Sequence, residues 1–187
     1  MRIGFTVTNR EFRMADHVIA CFQEDFERFH DLCVAQIDAC PDDLWLQKCG
    51  GYPLWQQFLH TFACIELLYV PPMPNELLLP EQELAGKMGL SFGCGCDRET
   101  LLLMREATFA LSKAEMRAYA GKMKALALAF LGSLEASRLG EPHEQVSAAL
   151  GKPRTMQHAL LGMVRHACYH LGCVDAVLRE RGLPGVY

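Results

Sequence analysis

What most constrains this chain is the spacing of its apolar residues. Over four long stretches they return every three or four positions, which lines one face of an α-helix; almost nowhere do they alternate as a half-buried strand requires. In residues 11–40 the stripe is Ala15, Val18, Ile19, Phe22, Phe26, Phe29, Cys33 and Ile37. Pro41 ends it, because proline disfavours helix in the residue before it. A second stretch follows Gly50-Gly51-Tyr52-Pro53 and stops at Pro71-Pro72. Its Leu54, Trp55, Phe58, Leu59, Phe62, Ile65, Leu68 and Tyr69 are apolar nearly all round, so it belongs deep between other helices. The third opens with Ser112-Lys113-Ala114-Glu115, a capping box, and is expected to run to about Gly140. The fourth begins near Arg154-Thr155 and closes on Arg179, Arg181 and Gly182, a basic last turn before a glycine.

Residues 73–111 break this regularity with Pro74, Pro80, Gly86, Gly89, Gly93 and Gly95. They read as a long crossover with short helices at 77–84 and 99–109. A bundle needs such a connection when consecutive helices are not simple antiparallel neighbours. Only residues 3–7 hint at a strand. The expectation is an all-α fold, an up-and-down four-helix bundle with a long crossover between helices two and three, forming a single domain over residues 1–187.

With 187 residues, 51% of them apolar, such a domain can bury a core without covalent staples. A net charge of −4 and the lack of any Lys/Arg run argue against nucleic acid as a partner. No apolar run approaches the ~20 residues that span a bilayer, and the first residues lack a signal-peptide core, so no membrane association is expected. Nine cysteines, several on apolar stripes, read mostly as reduced core residues of a cytoplasmic protein. Cys94-Gly95-Cys96 reads as a flexible loop rather than a metal or redox pair.

The chemistry lies in the histidines. His166 and His170 stand four apart, which puts both imidazoles on one helix face, one turn from each other, as two neighbouring ligands of one metal require. Both lie on the apolar stripe. His60 sits mid-helix in the most apolar stretch, in Phe58-Leu59-His60-Thr61-Phe62. Buried imidazoles need partners. Two readings satisfy them: three ligands on one ion with positions left open, the pattern of catalytic sites, or a hydrogen-bonded core cluster. The zincin pattern is excluded, since Ala167 follows His166 where a glutamate is needed. Cys64 (four after His60) and Cys173 (three after His170) face roughly as the ligands do; either one would close the site with sulfur, although packing roles account for both. Glu66 is a candidate to orient an imidazole, or else faces solvent or an arginine. His158 reads as a rim residue, His17, His30 and His143 as exposed or capping, and Arg165 and Tyr169 point away.

The segment from Leu161 through His166-Ala167-Cys168-Tyr169-His170 to Cys173, ending Leu178-Arg179-Glu180-Arg181-Gly182, resembles the last helix of the DinB-like (DinB/YfiT) superfamily. That family carries H-x-x-x-H in helix four and a third histidine in helix two, in a context like Leu59-His60-Thr61. The resemblance implies a divalent metal, zinc or nickel, on His60, His166 and His170. It also implies a homodimer, and an activity like that of the thiol-dependent transferases and isomerases that act with bacillithiol, mycothiol or glutathione. The chain departs from the family pattern at Leu171, where an arginine is frequent, and at Cys173, where a glutamine is usual. The other function class is a non-catalytic, metal-stabilised bundle that binds a small ligand or a protein partner.

Overall fold

The computed structural model describes residues 9–49, 52–70 and 110–186. Helix α1, Asn9–Ala39, buries Ile19, Phe22, Phe26, Cys33 and Ile37 of the expected stripe, leaves Phe29 half-buried and exposes Val18. Pro41 ends it and caps a single turn, α2, Asp42–Trp45. The Trp45 indole N–H donates to the Leu111 carbonyl at 2.7 Å, which ties this turn to the chain before the next helix. Two-residue strands, β1 (Lys48–Cys49) and β2 (Tyr52–Pro53), pair antiparallel.

Helix α3, Leu54–Cys64, starts directly after Pro53, whose fixed φ suits a helix entrance. Leu54, Trp55, Phe58, Leu59, Phe62 and Ala63 are all buried, as the all-round apolar pattern requires. Each large side chain removed from water stabilises the fold by about 1.5–3 kcal/mol. The helix then widens into a π turn, Ile65–Tyr69, closed by an i→i+5 bond from the Val70 N–H to the Ile65 carbonyl at 3.0 Å. Periodicity gives no sign of that widening.

Helix α4, Lys113–Ser133, has the expected capping box: Ser112 Oγ accepts from the Glu115 N–H, and the Glu115 carboxylate accepts from the Ser112 N–H. It ends seven residues before Gly140. Gly132 and Ser133 are poor helix formers; Leu134 then turns extended and buries its side chain, and residues Ala136–Gly140 form a 3-10 turn. A further short helix, α5, Glu144–Leu150, was not expected; it is capped by His143 and stopped by Gly151 at φ +62°, the left-handed conformation glycine adopts without strain. Helix α6, Met156–Glu180, opens with a second capping box, Thr155 with His158.

Helices α1 and α3 each pack against α4 and α6, and the π turn packs against α3, α4, α5 and α6. The described residues are thus helical apart from short connections and the two-residue pair, and the fold class is all-α. The expected crossover, its short helices, the Cys94–Cys96 loop and residues 3–7 lie outside the described residues. No helix among the described residues is long and apolar enough to cross a membrane. Of the described cysteines, none in a disulfide, Cys33, Cys40 and Cys64 are buried, Cys168 and Cys173 half-buried and Cys21 exposed. His30 corrects the expectation of exposure or capping: it is buried against Phe26 and Phe62, and its Nε2–H donates to the Ala120 carbonyl at 2.8 Å, so its partner comes from α4.

Candidate metal centre

The four-residue spacing on α6 does what helix geometry dictates, stacking His166 and His170 on one face with ring centroids 4.6 Å apart. Helix α3 lies against that face and brings in His60, its ring 4.7 Å from each of the other two. All three are half-buried, and they offer ligand nitrogens that lie within 4.8 Å of one another.

The contacts are closer than that limit. His166 Nε2 is 2.8 Å from His60 Nε2 and 3.0 Å from His170 Nε2. An imidazole nitrogen has one in-plane position, filled by either a proton or a lone pair. His166 Nε2 therefore cannot serve two in-plane neighbours through ordinary N–H···N bonds. Three lone pairs on a common cation would satisfy all three nitrogens; neighbouring nitrogens each about 2.1 Å from one ion lie about 3.0 Å apart at a right angle and about 3.4 Å at the tetrahedral angle, so an ion would spread the cluster by a few tenths of an ångström. The cluster can hold a metal ion.

Protonation agrees with this. Burial pushes the His166 pKa down to about 4, assisted by the Arg165 guanidinium, and the His170 pKa down to about 3, assisted by His166. Burial first, then the other two imidazoles, holds His60 well below its ordinary value. All three are neutral near pH 7, the form that ligates metals.

The tautomer of His170 is set by Gln57. Its Nδ1 lies 2.8 Å from Gln57 Oε1, an atom that only accepts, so Nδ1 carries the proton and Nε2 the lone pair. This is the supporting contact that metal-bound histidines use. Gln57 was missed in the sequence because a glutamine carries no charge signal. Its place three residues before His60, on the same helix face, is the clue that was present.

Glu66 is fully buried and accepts from the Tyr119 hydroxyl at 2.9 Å, so it does not face solvent. Burial, with Glu66 next, raises the Tyr119 pKa. Cys64 Sγ lies 3.9 Å from His60 Nε2, yet neither Cys64 nor Cys173 belongs to the mutually close ligand set. Tyr169 is exposed, its ring 5.1 Å from His170. His17 is exposed, as expected. His143 is buried and caps α5: its Nδ1 accepts from the Val146 N–H at 3.3 Å, while Nε2–H donates to the Tyr69 carbonyl at 3.1 Å. Tyr69 in turn stands beside the triad, 6.0 Å from His166 between ring centroids.

Two cavities flank α6. The larger, about 410 Å³, is lined by Phe29, Cys168, Leu171 and Gly172 with Asp175 and Arg179. Cys168 and Gly172 are each two positions from a triad histidine, about 200° round the helix, so it opens away from the cluster. Its two charges pair with each other at 2.7 Å. The smaller, about 160 Å³, lies on the other side and includes Tyr69, His158 and Arg165. His158 is exposed there, in keeping with a rim position. Compared with protein-family models, with curated proteins and with solved structures, the chain finds no match in any of the three.

Proposed function

We propose that the chain is a divalent-metal-dependent enzyme of the DinB-like class: a four-helix bundle closed by a long crossover between α3 and α4, with zinc or nickel held by Nε2 of His60, His166 and His170. The observation that carries this reading is the pair of short contacts at His166 Nε2, which a single two-centre N–H···N bond satisfies only in part. A bound divalent ion supplies Lewis acidity, which favours the thiolate form of a thiol and polarises an electrophile. The reaction class proposed is transfer or isomerisation that uses a small thiol, in a cytoplasmic homodimer. The chain's own residues bind and orient. Burial keeps the imidazoles unprotonated, Gln57 aims His170, and the remaining exposure of the three rings leaves the centre reachable by a small molecule.

Elemental analysis of protein purified without an affinity tag tests the metal. One divalent ion per chain, lost in His166→Gln, is expected; equal metal in both proteins would overturn the reading. Assay of the loaded protein on a panel of thiols and electrophiles then tests the enzyme. Activity that disappears in His166→Gln while melting barely changes supports catalysis. No activity, together with a sharp fall in melting temperature, favours the metal-stabilised, non-catalytic bundle.

A further inference from the structure

The smaller cavity lies where the π turn after α3, helix α5 and the first three turns of α6 meet. Leu68, Val146, Leu150 and Leu161 give it apolar walls. Its polar lining is Arg154, His158 and Arg165 with the Tyr69 phenol, so its ionisable groups are mainly basic, and no carboxylate among the described residues lines it. His158 and Arg165 are seven apart, two helical turns on one face, and Arg154 stands just before the helix.

Neither arginine forms an ion pair among the described residues, whereas Arg117, Arg138 and Arg179 all have carboxylate partners. Two unpaired guanidinium groups beside one hollow repel each other and attract an anion. His158 adds a donor. Its Nδ1 accepts from the Thr155 N–H at 3.2 Å, which places the proton of the neutral ring on Nε2. The floor of the cavity is specific as well. Tyr69 lies flush on α6 because position 162 is glycine; a Cβ there would stand 3.1 Å from Tyr69 Cε1. A ligand on this floor would rest against the same tyrosine that stands beside His166.

We propose that this cavity binds a small organic anion, a carboxylate or phosphate head on a short apolar stem, with Arg154, His158 and Arg165 on the head and the leucines on the stem. A volume of about 160 Å³ suits a head group and a few carbons. The site adjoins the histidine cluster but does not depend on an ion being there.

The test is calorimetric titration of the full chain, stripped of divalent ions by chelator, with butyl phosphate, with butyrate and with neutral butanol. Saturable binding of at least one anion, in about the millimolar range or tighter, is expected, with butanol not binding. Comparison of the two anions identifies the head group. Arg154→Gln and Arg165→Gln should each weaken binding about tenfold, and Arg138→Gln, an equal charge change elsewhere, should leave it unchanged. Arg165 is exposed, so its variant keeps the fold. The proposal is overturned if neither anion saturates, if butanol binds equally well, or if both arginine variants retain wild-type affinity. It also fails if binding requires the ion to be restored, because the anion would then sit on the metal. Binding that survives both stripping and His166→Gln upholds it even where the metal reading fails.

Discussion

Acid should unfold the metal-free protein at a pH where ordinary carboxylates are still largely ionised. In the unfolded chain each triad histidine has a pKa near 6.5. In the folded chain His166 is held at about 4 and His170 at about 3, both mainly by burial. The folded pKa values are depressed, so the unfolded state binds more protons in this window and stability falls as pH falls. It is fully present above about pH 6.5 and declines until the folded groups themselves titrate. From pH 7 to about pH 4.5, each of these imidazoles stays unprotonated over nearly two pH units in which its unfolded counterpart is charged, which at 1.36 kcal/mol per unit is about 2–3 kcal/mol. His166 and His170 together account for roughly 5 kcal/mol, comparable with the whole stability of many domains. Urea unfolding of the chelated protein, followed by circular dichroism at stepped pH, measures this. The His170→Gln variant should lose stability less steeply, by about one proton's worth, or 1.36 kcal/mol per pH unit. Parallel curves for the two proteins between pH 7 and pH 4.5 would refute the claim that folding holds these rings neutral. Adding zinc should flatten the upper part of the wild-type curve, because an ion that binds only the folded state stabilises it by mass action.

Other perturbations separate the parts of the structure. Gln57→Leu removes the acceptor that fixes the His170 tautomer and should weaken metal affinity about 10–100-fold with little change in melting; a competition titration against a chromophoric chelator reads it. Tyr119→Phe takes a buried donor from Glu66 and should cost about 1–3 kcal/mol, a fall in Tm of several degrees by calorimetry. Gly172→Ala, with nothing near its new methyl, should stabilise α6 by up to about 1 kcal/mol; Gly162→Ala should gain measurably less, because its methyl presses on Tyr69.

Local rules made much of this structure legible in advance. The Ser112 capping box, the four-residue step from His166 to His170 and the stripe on α1 are short-range patterns, and helix geometry turns each into one arrangement. His60 was found by a different argument, the cost of a polar ring in an apolar helix. What escaped notice depends on partners distant in sequence. The carbonyl of Ala120 explains the burial of His30, and the hydroxyl of Tyr119 explains that of Glu66; neither pairing leaves a mark near the residue it satisfies. The early end of α4 was missed because Leu134 continues the apolar period after the backbone has left the helix. Gln57 was missed because its importance is geometric. Arg165 lies one position from His166 and so faces away from the triad, yet the same offset puts it in the wall of the neighbouring cavity.

The π turn at Ile65–Tyr69 has a bearing on how this chain tolerates change in length. It holds one residue more than the α turn it replaces. Gln57 and His60 precede it and Tyr69 ends it, so the extra residue sets the angular offset between the histidine cluster and the tyrosine laid over Gly162. Deleting one residue there would let the segment close as an ordinary α turn with its phase kept, whereas inserting a further one would turn Tyr69 by about 100° while leaving His60 in place. Tyr69 would swing off its glycine, and the carbonyl that His143 holds would move with it. Insertions in this segment are therefore limited by rotational phase rather than by reach, while a single deletion is absorbed by the surplus residue.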